Sequence, residues 1–284
     1  PLHGAYFGAI AGRVANRIGG AAFCLDGRNY TLDRNDGNHQ LHGDRGGLSH
    51  QIWKMETDTR QNAIQFSLRS PDGDMGYPGE VHFTAIYRLS GNRLTLELTG
   101  NPDRPTPISL VQHHYFNLGR TASVQQHVLH LPYCRRRTMT DDERIPTGEI
   151  APVEGTDWDF TTPRQISPLR NAQNRYDGNF VLGENRDPDE PVAILCGEDG
   201  ALTLRQWTDR PGLQFYNSSL GGDCPFPGLE GRRYGAFSAV CLEDQMFPDA
   251  VNQPKFPSII ATPDQPYRHR CAFEIGTVDG DRNP

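Results

Sequence analysis

The feature of this sequence that most constrains its fold is a set of short segments in which apolar and polar residues alternate. One of them carries Ile64, Phe66 and Leu68, with polar residues between them. The same alternation recurs over residues 81–87, 94–98, 202–205 and 273–275. Successive side chains of a strand point to opposite faces of the sheet, so the pattern predicts strands with one buried face.

Helical patterns are scarce in the same sequence. No apolar pattern with a period of 3.6 residues lasts for three turns, and only short helical turns are expected, near residues 163–169 and 257–261. Glycine and proline, 30 and 22 residues, mark many turns between the alternating segments. The prediction is therefore an all-β protein, a large antiparallel sandwich or barrel. A parallel α/β fold is excluded because its crossovers require helices.

Length and charge narrow the class of partner. The 284 residues contain no linker-like stretch, which predicts a single domain over residues 1–284.

A net charge of −7 argues against nucleic acid as a partner, since phosphate binding requires clustered lysine and arginine. No run approaches the roughly 20 apolar residues of a membrane-spanning helix, and the first residues do not read as a signal peptide. We expect no membrane partner.

The cysteines indicate a compartment. None of the six forms a Cys-x-x-Cys pair, which leaves zinc-ribbon and thioredoxin-like motifs unsupported. Their scattered spacing favours buried free thiols over disulfides, and hence a cytoplasmic location. They stand at positions 24, 134, 196, 224, 241 and 271.

The histidines are the first candidates for chemistry, because motifs for nucleotide binding and for a Gly-x-Ser-x-Gly hydrolase are absent. His39 and His42 are three residues apart in a turn-rich stretch, and His113 and His114 are adjacent. Neighbours in a regular strand face opposite sides, which weakens a metal site formed by both members of the adjacent pair. Taken alone, each histidine is better explained as a hydrogen-bonded structural residue than as a catalytic one.

Two carboxylates stand out. Glu243 follows an apolar run, so a strand over 239–243 would place it on a face with Ala239 and Cys241, where a carboxylate is costly unless it is paired or used. A rim position at a strand end explains it as well. Asp177 precedes Gly178 and fits either a ligand-binding acceptor or an ordinary Asp-Gly turn.

These pieces occur together in one ordered series of motifs. The series is Gly12-Arg13-Val14-Ala15-Asn16-Arg17, Leu41-His42-Gly43, Ser70-Pro71-Asp72-Gly73 with Gly76-Tyr77-Pro78-Gly79, His113-His114-Tyr115-Phe116-Asn117-Leu118, Ile145-Pro146-Thr147-Gly148, Asp177-Gly178-Asn179-Phe180, Pro211-Gly212-Leu213-Gln214-Phe215-Tyr216 and Cys241-Leu242-Glu243-Asp244-Gln245. In this order the motifs resemble the aldose 1-epimerases, or galactose mutarotases, over nearly the whole chain. The family's opening strands, which precede the Gly-Arg motif, are expected to be missing.

The resemblance implies a large antiparallel β-sandwich with an open cleft, and an activity that interconverts the α and β anomers of a free monosaccharide. We expect the protein to be a monomer or a homodimer. By the family's pattern Glu243 matches the general base and His113 the general acid. The substrate-binding positions that it implies are Asn16, Arg17, His42, Asp177 and Gln214. Neither a metal nor a cofactor is implied, because opening and reclosing the sugar ring needs only proton transfer.

Some positions depart from the family's pattern. Gln112 and His114 stand where the acid's motif usually has Asn and Ser, and Asp44 replaces a glycine. Gly178 stands where His is common, which we expect to remove a cleft wall. These departures affect substrate preference rather than reaction type.

Three other functions remain open at this point. A non-catalytic sugar-binding sandwich would tolerate loss of His113 or Glu243. An enzyme for an anionic hexose would place basic residues such as Arg13, Arg45, Arg135 or Arg232 near the sugar. A metal-dependent enzyme would use His39, His42, His113 and His114, and would be inactivated by a chelator.

Overall fold

The computed structural model describes residues 6–43, 45–166, 175–218, 227–228 and 231–277. Within them, three one-turn 3-10 helices span Gly19–Ala21, Leu48–His50 and Asp74–Gly76. The strands are β1 (Ile10–Ala11), β2 (Arg17–Ile18), β3 (Ala22–Leu25), β4 (Arg28–Thr31), β5 (Gln40–Leu41), β6 (Lys54–Asp58), β7 (Ala63–Ser70), β8 (Val81–Ser90), β9 (Arg93–Pro102), β10 (Thr106–Pro107), β11 (Val111–Gln112), β12 (Val128–His130), β13 (Arg136–Thr140), β14 (Pro146–Pro152), β15 (Arg164–Gln165), β16 (Asp177–Val181), β17 (Ala193–Cys196), β18 (Leu202–Thr208), β19 (Gly212–Tyr216), β20 (Cys241–Gln245), β21 (Ile260–Ala261) and β22 (Tyr267–Thr277).

Two antiparallel sheets dominate the molecule. The larger has nine strands in the order β15-β12-β17-β18-β22-β9-β8-β7-β6, and the smaller has five in the order β14-β13-β16-β19-β20. Short two-stranded ladders join β1 to β11, β2 to β5, β3 to β4 and β10 to β21. The all-β fold predicted from alternation is confirmed.

The alternating segments form the centre of the large sheet, as predicted. β8 buries Val81, Phe83 and Ala85, and β9 buries Leu96 and Leu98, all on the face turned to the core. Fully burying side chains of this size contributes about 1.5–3 kcal/mol each. The apolar residues at every second position therefore fix which face of the sheet is inside.

The two sheets pack face to face as a β-sandwich. Phe180, Phe215 and Leu242 on the small sheet are almost fully buried and belong to the same apolar cluster as the large sheet's Phe83 and Leu98. Strands β16, β19 and β20 therefore have one face committed to the core. Their other face is left to carry a site.

The predicted helical turns are wrong where the structure describes them. Residues 164–165 form β15 and residues 260–261 form β21, while residues 167–169 lie outside the described part. β21 pairs with β10, so hydrogen bonding to a distant segment overrides the local tendency of the proline-led stretch to form a turn.

Five cysteines, Cys24, Cys134, Cys196, Cys241 and Cys271, are free thiols, as expected. Cys224 lies outside the described residues. No helix in the described ranges is both long enough and apolar enough to cross a bilayer.

Candidate active site

The side chains that form the centre of the candidate active site lie on the polar face of the small sheet. Because β16, β19 and β20 are antiparallel neighbours, Asn179, Gln214 and Glu243 stand opposite one another across the three strands. Two residues along in either direction, the same face presents Asp177 and Gln245. Strand periodicity thus places five polar side chains on one surface.

The opposite face of these strands is mostly apolar and holds them in place. Leu213, Phe215 and Leu242 alternate with the polar residues and are at most 1 % exposed. Every polar residue of the site therefore has a core residue as its chain neighbour, which limits movement of the backbone.

Glu243 meets His113 at the centre of this surface. The Nε2 atom of His113 lies 3.5 Å from the Oε1 atom of Glu243, and both side chains are almost fully buried. The backbone of His113 is anchored on both sides, because its N–H donates to Ala9 and its carbonyl accepts from Gly8, each at 2.9 Å. An acid and a base this close together can act on two oxygens that are bonded to the same carbon.

Burial shifts the proton affinities of this pair in opposite directions. It lowers the pKa of His113 to about 4, because the imidazolium loses its hydration. Burial, together with the charges of Asp177 and Asp244, raises the pKa of Glu243 well above its usual value, and Arg17 offsets part of that rise. The carboxylate is thus a stronger base, and the imidazolium a stronger acid, than either would be in water.

His42 approaches the pair from the N-terminal part of the chain, with its ring centroid 5.3 Å from that of His113. Its Nδ1 atom accepts the backbone N–H of Asn16 at 3.2 Å. Burial and the neighbouring charges of His113 and Arg17 lower the pKa of His42. Neutral His42 therefore carries its proton on Nε2 and is a hydrogen-bond donor.

Asn16 and Arg17 lie at the start of β2, beside His42. The Oδ1 atom of Asn16 accepts the backbone N–H of Arg17 at 2.9 Å, and the backbone of Asn16 adopts a left-handed φ of 59°. The guanidinium of Arg17 is nearly buried and donates to Asp36 at 2.7 Å. Arg17 thus brings a compensated positive charge to this side of the site.

Asp177 and Gln214 lie on the other side. Gln214 donates to the Oδ1 atom of Asp177 at 2.7 Å, and Arg144 approaches its Oδ2 atom at 3.5 Å. The predicted Asp-Gly turn is not formed, because residues 177–181 are strand β16. The structure therefore brings all seven sequence-predicted residues to one region: Asn16, Arg17, His42, His113, Asp177, Gln214 and Glu243.

Several buried polar atoms of this surface have no hydrogen-bond partner among the described residues. They are the Oε2 atom of Glu243, the Nδ1 atom of His113, the Nδ2 atom of Asn179 and the Oε1 atom of Gln245. A buried polar atom without a partner costs about 1–3 kcal/mol, so this group calls for a polar ligand that both donates and accepts.

Asn179 and Gln245 were missed by the sequence reasoning. Each follows a predicted site residue, Asp177 or Glu243, by two positions on the same strand. Extending the period of two along each strand would have found both. Gln245 donates to the Oδ1 atom of Asn179 at 3.3 Å, so the two amides form a continuous polar floor.

Aromatic rings lie beside His113, and no sequence pattern predicted their place in the site. The rings of Tyr6 and Tyr115 lie nearly parallel to that of His113, at centroid distances of 5.8 and 5.0 Å. Tyr115 shares the strand-like face of His113 two residues on. These rings contribute to the burial that makes His113 a strong acid.

The four-histidine metal site proposed as an alternative is not assembled. The ring of His114 packs on Phe273, at 5.6 Å, in the core on the other side of the strand. His39 accepts the backbone N–H of Gly20 at 3.0 Å and faces Glu143. The expected opposite orientation of His113 and His114 is confirmed.

A three-residue donor set remains, since His42, His113 and Glu243 each offer an atom within 4.8 Å of the others. With Nδ1 of His42 occupied by the N–H of Asn16 and its Nε2 protonated, the neutral ring presents a donor rather than a lone pair. This arrangement favours binding of a hydroxylated molecule over ligation of a cation.

The expectation for Gly178 is wrong. A Cβ atom at this position would lie 2.8 Å from the ring of Trp158, on the face of β16 opposite to Asp177. A side chain there would point away from the polar surface, and its absence removes no wall from the cleft. Gln112, another of the departures, donates to the carbonyl of Leu242 at 2.9 Å and ties β11 to β20.

Four arginines were considered as partners of an anionic sugar, and of these one is buried in a structural role and three are exposed. Arg13 is fully buried, and its five N–H groups reach the Oγ atom of Ser70 and four carbonyl oxygens of residues 70–79. Burial lowers the pKa of Arg13 to about 10. Arg45, Arg135 and Arg232 are exposed. Arg13 is thus a structural clamp.

Comparison with known proteins agrees with the geometry. A sequence model of the family named aldose 1-epimerase matches residues 1–274. The chain belongs to the aldose 1-epimerase family. Among curated members, it is 36 % identical to the galactose mutarotase of Rattus norvegicus over 276 residues, covering 96 % of this chain and 80 % of the relative. It is 33 % identical to the aldose 1-epimerase of Escherichia coli strain K12, covering 89 % and 74 %.

Solved structures of aldose epimerase relatives share the fold. An aldose epimerase homologue from C. elegans superposes with a TM-score of 0.89 at 28 % identity, covering 96 % of this chain and 83 % of the other. A galactose 1-epimerase from Lactobacillus acidophilus gives a TM-score of 0.82 at 22 % identity, covering 96 % and 80 %, and supports the fold alone.

Proposed function

We propose that this protein is an aldose 1-epimerase that interconverts the α and β anomers of a free hexose through ring opening and reclosure. The observation that carries the proposal is the buried pair of His113 and Glu243, with Nε2 and Oε1 3.5 Å apart. Buried polar atoms of the pair itself, and of Asn179 and Gln245, have no hydrogen-bond partner among the described residues, and a polyhydroxylated ligand would satisfy them. Family membership supports the same reaction.

The reaction moves two protons in each step. Glu243 takes the proton of the C1 hydroxyl while His113 gives a proton to the ring oxygen, so the bond between C1 and that oxygen breaks and an aldehyde forms. Rotation about C1–C2 presents the other face of the aldehyde. Closure then runs the same transfers backwards, with His113 as base and Glu243 as acid.

Burial makes the charged form of the pair more reactive in the opening step. Opening starts from the form in which Glu243 is a carboxylate and His113 an imidazolium, which is the less populated form of the singly protonated pair because both charges are poorly solvated in this site. After opening, Glu243 holds a proton and His113 is neutral. The step discharges a buried ion pair, so the environment that raises the pKa of Glu243 and lowers that of His113 favours it.

The remaining residues bind and orient the sugar in this proposal. His42 donates from Nε2 to an oxygen near the reacting carbon, and Arg17 and Asn16 hold that side of the ring. Asp177 and Gln214 accept and donate to hydroxyls on the other side. Donors aimed at oxygens that gain charge lower the barrier to opening.

The wider setting belongs to the same proposal. We take residues 1–284 as one domain, acting as a monomer or homodimer in the cytoplasm, without metal, nucleic acid or membrane as partner. The free thiols of the five described cysteines support the location, and the net charge of −7 supports the absence of nucleic acid.

Polarimetry on freshly dissolved α-galactose and α-glucose tests the reaction. The protein should speed the approach to the equilibrium rotation in proportion to its concentration, and prior treatment with a chelator should leave the rate unchanged. Absence of acceleration with both sugars, by a protein shown to be folded, contradicts the proposal. Inactivation by the chelator would instead support the metal-dependent alternative.

A further inference from the structure

The tip of the β13–β14 hairpin is a rigid turn beside the candidate active site. The Oδ1 atom of Asp141 accepts the backbone N–H groups of Glu143 and Ile145 at 3.0 and 2.9 Å. Arg144, between them, adopts a left-handed φ of 65°, which is uncommon for a residue with a side chain. The turn therefore fixes where the side chain of Arg144 leaves the backbone.

This tip is fastened to two sides of the site. Glu143 lies 3.4 Å from the Nε2 atom of His39, whose ring also accepts the N–H of Gly20. Arg144 lies 3.5 Å from Asp177 on β16. The hairpin tip thus joins the small sheet to the N-terminal segment that carries Arg17, and closes one end of the polar surface.

Arg144 retains binding capacity at this end. Its side chain is 36 % exposed, and the guanidinium makes no hydrogen bond to any described residue that meets normal geometry. Asp177 accepts one bond from Gln214 at 2.7 Å, and its carboxylate has lone pairs to spare. The two groups stand side by side, one with free donors and one with free acceptors.

We propose that Arg144 is a substrate-selecting residue that, together with Asp177, binds two adjacent ring hydroxyls of the aldose. The inference rests on the proposed function and extends it to a residue that no motif assigned. Each sugar hydroxyl both donates and accepts, so a neighbouring cation and carboxylate match a pair of hydroxyls on adjacent carbons. A charged partner strengthens each such bond.

The charge balance decides which kind of sugar this end accepts. The positive charge of Arg144 is compensated by Asp177, and that of Arg17 by Asp36 at 2.7 Å. An anionic substituent placed here would have to displace or face a carboxylate. The arrangement therefore selects hydroxyls over phosphate or sulfonate.

The test compares Arg144→Met with the matched control Arg136→Met, which removes an exposed arginine from β13 of the same hairpin. Polarimetry gives kcat and KM for galactose and for its 2-, 3-, 4- and 6-deoxy analogues. Thermal melting shows that each variant is folded, and Arg144→Gln replaces Arg144→Met if the latter does not fold.

For galactose, Arg144→Met should raise KM by about 10-fold or more while kcat changes less than about threefold, and Arg136→Met should leave both unchanged. Two of the deoxy analogues, each lacking one of two hydroxyls on adjacent carbons, should have a higher KM than galactose in the wild type. In Arg144→Met, the KM of these two analogues should differ little from that of galactose. Such non-additivity identifies a direct contact.

Three outcomes overturn the inference. An unchanged KM in folded Arg144→Met shows that Arg144 does not bind the sugar, and an equal rise in Arg136→Met shows a nonspecific effect. If the effects of the deoxy substitution and of Arg144→Met on KM are additive for every analogue, no hydroxyl contacts Arg144. In all three cases the wild type still accelerates mutarotation, whereas a wild type inactive on every sugar overturns the proposed function as well.

Discussion

The Nε2 atom of His269 lies 2.5 Å from the Oδ2 atom of Asp244, and this buried contact joins β22 of the large sheet to β20 of the small one. Asp244 directly follows Glu243 and faces the core instead of the cleft. Its other oxygen accepts Gln112 and Gln206 at 3.3 and 3.1 Å. The strand that carries the proposed base is therefore tied to the opposite sheet by a buried polar network.

Asp244→Asn should lower the free energy of unfolding by about 3 kcal/mol, because it leaves buried His269 without its charged partner. Burial alone would raise the pKa of Asp244, but His269 and the hydrogen bonds outweigh it, and the net effect is a lowered pKa. This stabilisation is full above the usual value of 3.8 and disappears as the pH falls through the lower folded-state value.

Urea unfolding between pH 3 and pH 7 measures both effects. The stability difference between wild type and Asp244→Asn should shrink towards acid, while Glu56→Gln on the exposed strand β6 serves as the control. A difference that stays constant with pH would show that Asp244 is not ionised in the folded protein.

Glu243→Gln should reduce kcat by about 10²–10⁴-fold with an unchanged or higher melting temperature, since the amide keeps the shape and removes a poorly solvated carboxylate. His113→Asn should reduce kcat similarly. Polarimetry and thermal melting check both, with Glu149→Gln, an exposed carboxylate on β14, as the matched control. Wild-type turnover by either variant would refute its assigned role.

The pH dependence of kcat/KM should differ from that of an exposed histidine. Burial lowers the pKa of His113 to about 4, so protonation of both members of the pair begins only near that pH. We expect kcat/KM to stay level through pH 6.5 and to fall towards pH 4, because the doubly protonated pair contains no base. The spontaneous rate is subtracted at each pH, and a loss of activity centred on pH 6.5 would contradict this assignment.

His114→Ser should separate stability from catalysis. The ring of His114 packs on Phe273, Phe116 and Tyr87 in the core, so its removal should lower the free energy of unfolding by about 1–3 kcal/mol. At 25 °C kcat/KM should stay within about threefold of wild type, because the side chain faces away from the cleft. A collapse of activity in a folded variant would exchange the roles of His113 and His114.

Local sequence was sufficient for the long strands β7, β8 and β9, because a period of two is imposed by burial of one face and needs no knowledge of the partner strand. Val81, Phe83 and Ala85 show it in β8, and Leu96 and Leu98 in β9. The two-residue strands β1, β2 and β21 carry no such pattern. Each exists only because a distant segment offers hydrogen bonds, as β10 does for β21.

The site was predicted by its motifs rather than by any local physical pattern. Taken alone, Glu243 was explained equally well by a position at a strand rim, and Asp177 by an Asp-Gly turn. Only the ordered series of motifs favoured a functional role for each. Contacts between segments far apart in the chain stayed invisible. Asp244 with His269, 25 residues on, and Arg144 with Asp177 are brought together by strand pairing and sheet packing alone.

The clamp around Arg13 has a consequence for how this chain tolerates change. Four of the five acceptors that hold its guanidinium are main-chain carbonyls of residues 70–79, a feature of every amino acid. The arginine therefore recognises mainly the backbone path of that loop, and among its side chains it hydrogen-bonds to Ser70. At the exposed positions 71–73, a substitution that leaves the backbone in place keeps these four contacts. A single inserted residue would instead misalign several acceptors at once and leave a buried cation partly unsolvated.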